Sequence, residues 1–243
     1  MKITAIIQAR TNSSRYPNKV FASLAGKPLI WHVINRLKAS KKIDEIVIAT
    51  TVNRSDDILK DWATSENVSY FRGEENDVLN RFYETAKRYE SDIIVRITSD
   101  DPFKDPRIID KVIGVLLDHD LDFAYNNYPP SFPEGLDTEV FSFHALDLAN
   151  SNSKDMFERE HVTQYFYRNP MLFKQENICN DKDISRLRWT IDTVQDYRLV
   201  ENVYKALFKE NEIFLMEDIL KYLQKHPEVS EINMDVKRSA MYQ

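Results

Sequence analysis

Through its first 125 residues the chain alternates short apolar runs with amphipathic stretches of helical spacing, and this alternation admits few folds. The run ITAIIQ, residues 3–8, reads as a buried strand, and residues 28–40 read as a helix opened by Pro28. Strand and helix then alternate over residues 45–50, 56–66, 68–71, 77–89, 92–98, 106–117 and 121–125. Strands that are apolar on both faces, each followed by a helix, predict a mostly parallel sheet with helices on both faces, an α/β fold. Ligands of such sheets bind beyond the carboxyl ends of the strands. The residues just after each strand therefore carry the functional reading.

Past Asn126 the rhythm breaks. The segment NNYPPSFPEG reads as a loop. Residues 138–143 resemble a strand, 158–168 a helix, 172–178 a strand and 187–191 a last buried strand, before helices over 194–208 and 216–224. With no repeat, low-complexity tract or linker, the expectation is one domain over residues 1–243 that carries an insertion at about 127–185. A net charge of −6 disfavours general affinity for nucleic acid. Cys179 is the only cysteine, which excludes an internal disulfide and cysteine-rich zinc chemistry. No apolar run reaches the roughly 18 residues of a membrane span, and the first residues carry no signal-peptide pattern. The cytoplasm is the expected compartment.

The loop QARTNSSRYPNK, residues 8–19, follows the first strand and brings Arg10, Arg15 and Lys19 together with Ser13 and Ser14. A triphosphate needs exposed backbone N–H groups and several cations, and this loop can supply both. Asn12 and Asn18 can adopt positive φ and so allow a tight turn without glycine. The loop matches neither the P-loop nor the dinucleotide-binding glycine pattern. A solvated basic loop is the alternative.

Two more places stand out. Asp100 and Asp101 follow the strand-like DIIVRIT directly, and Asp192 follows LRWTI. Two carboxylates from neighbouring strands can share one Mg²⁺, which takes one or two carboxylates along with phosphate oxygens and water. Each aspartate could instead cap a helix. His32 and His144 sit among apolar residues and read as packing or surface groups.

The stretch ARTNSSRYPNKVFASLAGKPLIWHVINRL, residues 9–37, resembles the opening of the cytidylyltransferases that activate 3-deoxy-manno-octulosonate and acylneuraminates, with the spore-coat polysaccharide biosynthesis branch as the nearest likeness. VRITSDDP and RWTIDTVQDYRLV resemble the two metal-aspartate segments of that family, and FRGEENDVLNRFYETA its nucleoside-recognition stretch. PEGLDTEVF and EREHVT resemble its acceptor side. The resemblance implies a Rossmann-like nucleotidyltransferase fold, with the insertion serving as a dimerisation element. It implies a Mg²⁺-dependent enzyme that transfers CMP from CTP to a small acidic acceptor and releases pyrophosphate for polysaccharide or glycoconjugate synthesis.

By the same resemblance Ala9, Arg10, Ser13, Ser14, Arg15 and Lys19 bind the nucleotide, with Arg10, Arg15 and Lys19 on its phosphates and the two serines as hydrogen-bonding neighbours. Arg15, Lys19, Asp100 and Asp192 are the catalytic set. Arg72, Gly73 and Asp77 face the nucleoside. Asp100 and Asp192 hold the metal, and Asp101 is an extra acid, a cap or a neighbour of the site. Asn126, Asp137, Glu139, Arg159 and His161 line the acceptor pocket. A turn plus helix cap is the competing account of residues 72–77, and a solvated helical turn that of EREH. A metal-dependent glycosyltransferase, a cytidylyltransferase acting on a phosphate ester and a nucleotide sensor are the rival functions.

Overall fold

The computed structural model describes residues 1–12 and 16–237, so the expected phosphate ligands Ser13, Ser14 and Arg15 lie outside the described residues. Strand β1 (Ile3–Gln8) buries Ile3, Ala5 and Ile7 on one face and Ile6 on the other, as a period of two demands. A short hairpin, β2 (Ser23–Leu24) with β3 (Lys27–Pro28), then delivers the chain into α1 (Leu29–Leu37). The alternation runs on through β4 (Glu45–Thr51), α2 (Asp57–Ser65), β5 (Ser69–Gly73), α3 (Val78–Arg88), β6 (Ile93–Thr98), α4 (Pro106–Asp118) and β7 (Phe123–Tyr125). After the loop come β8 (Glu139–Ser142), α5 (Phe143–Asn152), α6 (Met156–His161), α7 (Gln164–Arg168) and β9 (Gln175–Asn177). Helices α8 (Val194–Leu207), α9 (Met216–Lys225) and α10 (Pro227–Ser230) follow.

The seven main strands lie in the order β5-β4-β1-β6-β8-β7-β9, and β8 alone runs against its neighbours. This is the mostly parallel α/β sheet that the alternation implies. Two apolar clusters cover it. One packs α1, α2, α4, α8 and α9 against the face carrying Ile7, Val95 and Val140. The other packs α3, α5 and α7 against Ile6, Ile94 and Phe141.

Three expectations are corrected. Residues 187–191 are not a strand. Trp189 N–H donates to Glu134 O and Ile191 N–H to Asp100 O, so the segment pairs with two loops instead of a sheet edge. Gly135 permits that close approach: at φ +104 a Cβ there would lie 2.8 Å from the Trp189 carbonyl carbon. The helix expected over 158–168 is two short helices, broken where buried Val162 takes φ 56 and ψ −61. Helix α5 starts where a strand was expected to continue, because the Ser142 hydroxyl caps it by accepting from Ala145 N–H at 3.1 Å.

His32 on α1 is a packing residue. Its ring lies 4.4 Å from that of Tyr204, and its Nε2 donates to Leu24 O at 2.7 Å. Burial pushes its pKa down to about 4, with Arg36 and Lys27 adding repulsion against the Leu24 contact. An unfolded imidazole titrates near 6.5, so between pH 6.5 and 4 the unfolded chain binds more protons and stability falls as pH falls. His32→Gln keeps a donor for Leu24 O and cannot titrate. It is expected to lose about 2–3 kcal/mol less than the wild type between pH 7 and pH 4.5. Parallel melting curves with equal losses at the two pH values would show that His32 contributes nothing to acid sensitivity.

Candidate active site

Strands β1 and β6 are neighbours in register, with Gln8 opposite Thr98, so their carboxyl ends open side by side. A cavity of about 430 Å³ lies there. Ala9 and Arg10 enter it after β1, Asp100 and Asp101 after β6, and Asp137 and Glu139 from the approach to β8. His161 enters from the end of α6, and Asp192 from the segment before α8.

At its centre Lys19 joins two residues that lie 81 and 173 positions along the chain. Its Nζ donates to Asp100 Oδ2 at 2.6 Å, Asp192 Oδ1 at 2.8 Å and Ile191 O at 2.8 Å. Asn18 makes this reach possible by adopting φ 57 immediately before the 3₁₀ turn Lys19–Phe21. Burial disfavours the ammonium charge, yet the two carboxylates outweigh it and raise the Lys19 pKa. Burial likewise opposes the Asp100 charge, and the Lys19 ammonium holds that carboxyl below its usual range. Neither aspartate caps a helix: Thr193 caps α8 and Asp105 caps α4.

The three oxygens thus already surround one cation. An all-oxygen set of this kind suits Mg²⁺, which completes its shell with water and nucleotide phosphates. Among the described residues no cluster of three or more His, Cys, Asp or Glu forms a ready metal cage. The residues present fit a metal that arrives with phosphate ligands of its own.

Asp101 is no cap. It accepts from the Thr98 hydroxyl at 2.7 Å and pairs at 2.9 Å with Lys104, which also donates to Asp137 O. Burial pushes the Asp101 carboxyl up, Lys104 opposes this and Asp100 adds to it. Glu139 is buried against Arg96 and accepts from Thr163 and Tyr167 at 2.8 and 2.9 Å, contacts that hold its pKa down despite burial. The His161 pKa is lowered by burial and by Arg96, which keeps the imidazole neutral near pH 7.

The other expected residues lie elsewhere. Arg72 is tied to Thr51 O, Asn53 O and Asp57 and does not line the cavity. Gly73 ends β5, where a Cβ would press on the Arg81 side chain at 3.1 Å. Asp77 caps α3 through Asn80 N–H and is held by both ends of the Arg159 guanidinium, at 2.9 and 2.6 Å. One residue expected at the nucleoside and one expected at the acceptor therefore occupy each other, outside the cavity lining. Asn126 is fully buried and braces the loop, its amide bonded to Leu136 O and Thr138 N–H. Arg10 does line the cavity and pairs with Glu75 at 3.0 Å.

Residues that sequence reasoning missed complete the lining, chiefly Arg81, Arg96, Lys104, Glu134 and Glu160. Arg96 had a readable signal, a cation inside the apolar strand run IIVRIT, which demands a buried partner. Arg81 lies on the buried face of α3 and donates to Glu74 O; burial lowers its pKa to about 10, with repulsion from Arg10 adding to this. Among the described lining residues eight carboxylates face five cations, and Arg188 behind them pairs with two of the eight, Glu134 and Asp192.

The cavity lies where open α/β sheets bind their ligands, at the carboxyl ends of the strands. The cytidylyltransferase family model matches residues 4–236. The chain is 30% identical to the spore coat polysaccharide biosynthesis protein SpsF of Bacillus subtilis, over 94% of this chain and 96% of that protein. It is also 30% identical to the 3-deoxy-manno-octulosonate cytidylyltransferase of Geobacter sulfurreducens, over 76% of this chain and 69% of that protein. Among solved structures, a cytidylyltransferase from Leptospira borgpetersenii superposes with a TM-score of 0.90 at 32% identity, over 95% and 97% of the two chains. With its nucleotidyltransferase fold and a family match over nearly its whole length, the chain belongs to the cytidylyltransferase family.

Proposed function

We propose that this cytidylyltransferase transfers CMP from CTP to a small sugar acid and releases pyrophosphate, with Mg²⁺ held by Asp100 and Asp192. The observation that carries the reading is the convergence of Asp100, Asp192 and the Ile191 carbonyl on one cation beside the carboxyl ends of β1 and β6. When bound, Mg²⁺ would neutralise the charge that builds on the phosphate oxygens as the acceptor oxygen attacks the α-phosphorus. Arg10 and Lys19 would then hold the leaving pyrophosphate, with Arg15, Ser13 and Ser14 contributing from the same loop. Family membership sets aside the alternative of glycosyl transfer from a sugar nucleotide.

The acceptor half of the cavity is polar, with Asp137, Glu139, Glu160, His161 and Arg96. Such a lining suits a polyhydroxylated molecule better than an apolar one. Arg159 is committed to Asp77, so the acceptor carboxylate falls to Arg96 or to the neutral His161 as donor. The proposal extends to a cytoplasmic enzyme formed of one domain and paired through residues 127–185, readable from the particle mass in solution. That segment leaves Tyr128, Met156, Met171 and Leu172 exposed.

Two measurements test the core of the reading. In competition binding with Mg²⁺, CTP is expected to outcompete ATP, GTP and UTP, and equal affinity for ATP would remove the cytidylyl assignment. A panel of 3-deoxy sugar acids, nonulosonates and small phosphate esters, screened for CTP-dependent pyrophosphate release, identifies the acceptor. Turnover confined to phosphate esters would overturn the sugar-acid reading.

A further inference from the structure

Behind Asp192 lies a buried polar network that reaches the C-terminal part of the chain. Asp192 turns its two oxygens to different partners: Oδ1 accepts from Lys19 in the cavity, and Oδ2 accepts from Arg188 Nη2 at 2.9 Å. Arg188 is itself clamped. Its Nε donates to Asp196 Oδ1 at 3.0 Å, and its Nη1 lies 2.8 Å from Glu134 Oε2. Asp196 is fully buried, and its Oδ2 accepts from the backbone N–H groups of Asp192 and Thr193 at 3.0 and 2.9 Å. The amide of Asn233, in the turn after α10, donates to Asp196 Oδ1 at 2.8 Å and to Arg188 O at 3.0 Å.

Every link here is buried, charge-assisted or both, and low dielectric makes such bonds strongly directional. Burial would push the Asp196 carboxyl up, yet Arg188 and Asn233 hold it below its usual range. A side chain 37 residues from Asp196 would not be buried with its amide aimed into this network for helix packing alone. Val229 and Ile232, beside it in sequence, already supply the apolar contact of this segment.

We propose that Asn233 is a positioning residue for Asp192, acting through Asp196 and Arg188 to keep Oδ2 engaged and Oδ1 turned to the cavity as a single ligand oxygen. This rests on the metal reading of Asp100 and Asp192 above. Groups that orient a metal ligand typically change metal affinity 10- to 100-fold when removed.

The probe is Mn²⁺ with CTP, followed by calorimetry. The quantity read is the free Mn²⁺ concentration that gives half of the metal-dependent gain in CTP affinity. Asn233→Ala is expected to raise it about tenfold, while CTP affinity in EDTA changes less than about twofold. Val229→Ala, which loosens the same segment without touching the network, is expected to lower the melting temperature and leave the Mn²⁺ value unchanged. Should Asn233→Ala fail to fold, Asn233→Ser, which keeps a small donor, carries the same comparison. A wild type without any metal-dependent gain overturns the metal reading and this inference with it. A wild-type gain with an unchanged Asn233 variant, or an equal shift in Val229→Ala, overturns the positioning role alone.

Discussion

Asp100→Asn and Asp192→Asn are each expected to lower CTP-dependent pyrophosphate release by about 10³-fold, equivalent to roughly 4 kcal/mol of lost transition-state stabilisation. Asn keeps the size of each side chain but presents a neutral oxygen to a cation that requires charge. Neither residue caps a helix, so the exchange removes no cap that could account for a loss. The comparison with Asp101→Asn is the informative one. Asp101 and Lys104 are both buried and paired at 2.9 Å, so Asn there leaves an ammonium without its carboxylate. Breaking such a pair costs about 3–5 kcal/mol. Asp101→Asn should therefore melt earliest of the three yet keep most activity per folded molecule. Pyrophosphate release and thermal melting, measured together, separate the classes, and near-normal turnover in the Asp100 and Asp192 variants would end the two-aspartate metal site.

Lys19→Met is expected to move two quantities in opposite directions. In the free protein the Lys19 ammonium occupies the point between Asp100 and Asp192 where a metal would sit. Removing it takes the ammonium from between Asp100 Oδ2 and Asp192 Oδ1 and leaves Arg188 on Asp192 Oδ2 as the cation that remains beside the pair, a situation that favours an added cation. Mn²⁺ binding to the nucleotide-free protein should therefore tighten about tenfold or more, since one unit charge at close range in a partly buried site is worth over 1.4 kcal/mol. Turnover should meanwhile fall about 10²–10³-fold, because a cation for the leaving pyrophosphate is lost. Simple damage to the site would weaken both. Calorimetric Mn²⁺ titration of the free variant decides the matter: unchanged or weaker binding would mean that Lys19 does not stand in the cation's place.

The α/β sheet was legible from local pattern alone. Apolar runs of period two and helices of period 3.6 report how each segment is buried, and burial on both faces leaves a parallel sheet as the natural arrangement. Asp100 could be placed at the carboxyl end of a strand from the same pattern, because it follows the apolar run of β6. That Lys19 and Asp192 meet it there came from the tertiary structure, since one follows a ten-residue loop and the other a segment that is not a strand. Local pattern stops at the question of partners. Residues 187–191 have the alternation of a strand, but only the three-dimensional structure decided that their backbone pairs with Glu134 and Asp100. Asp77 and Arg159 each had a chemically sound role in separate pockets, and a bond across 82 residues uses both for each other. Asn233 carried no signal at all. An amide in a short turn looks the same whether it faces water or closes a buried network behind Asp192. The sequence by itself thus determined which segments had to be buried and that they build a mostly parallel α/β sheet. Only the tertiary structure decided which charges neutralise one another, because pairing energy depends on distances set by segments that lie far apart in the chain.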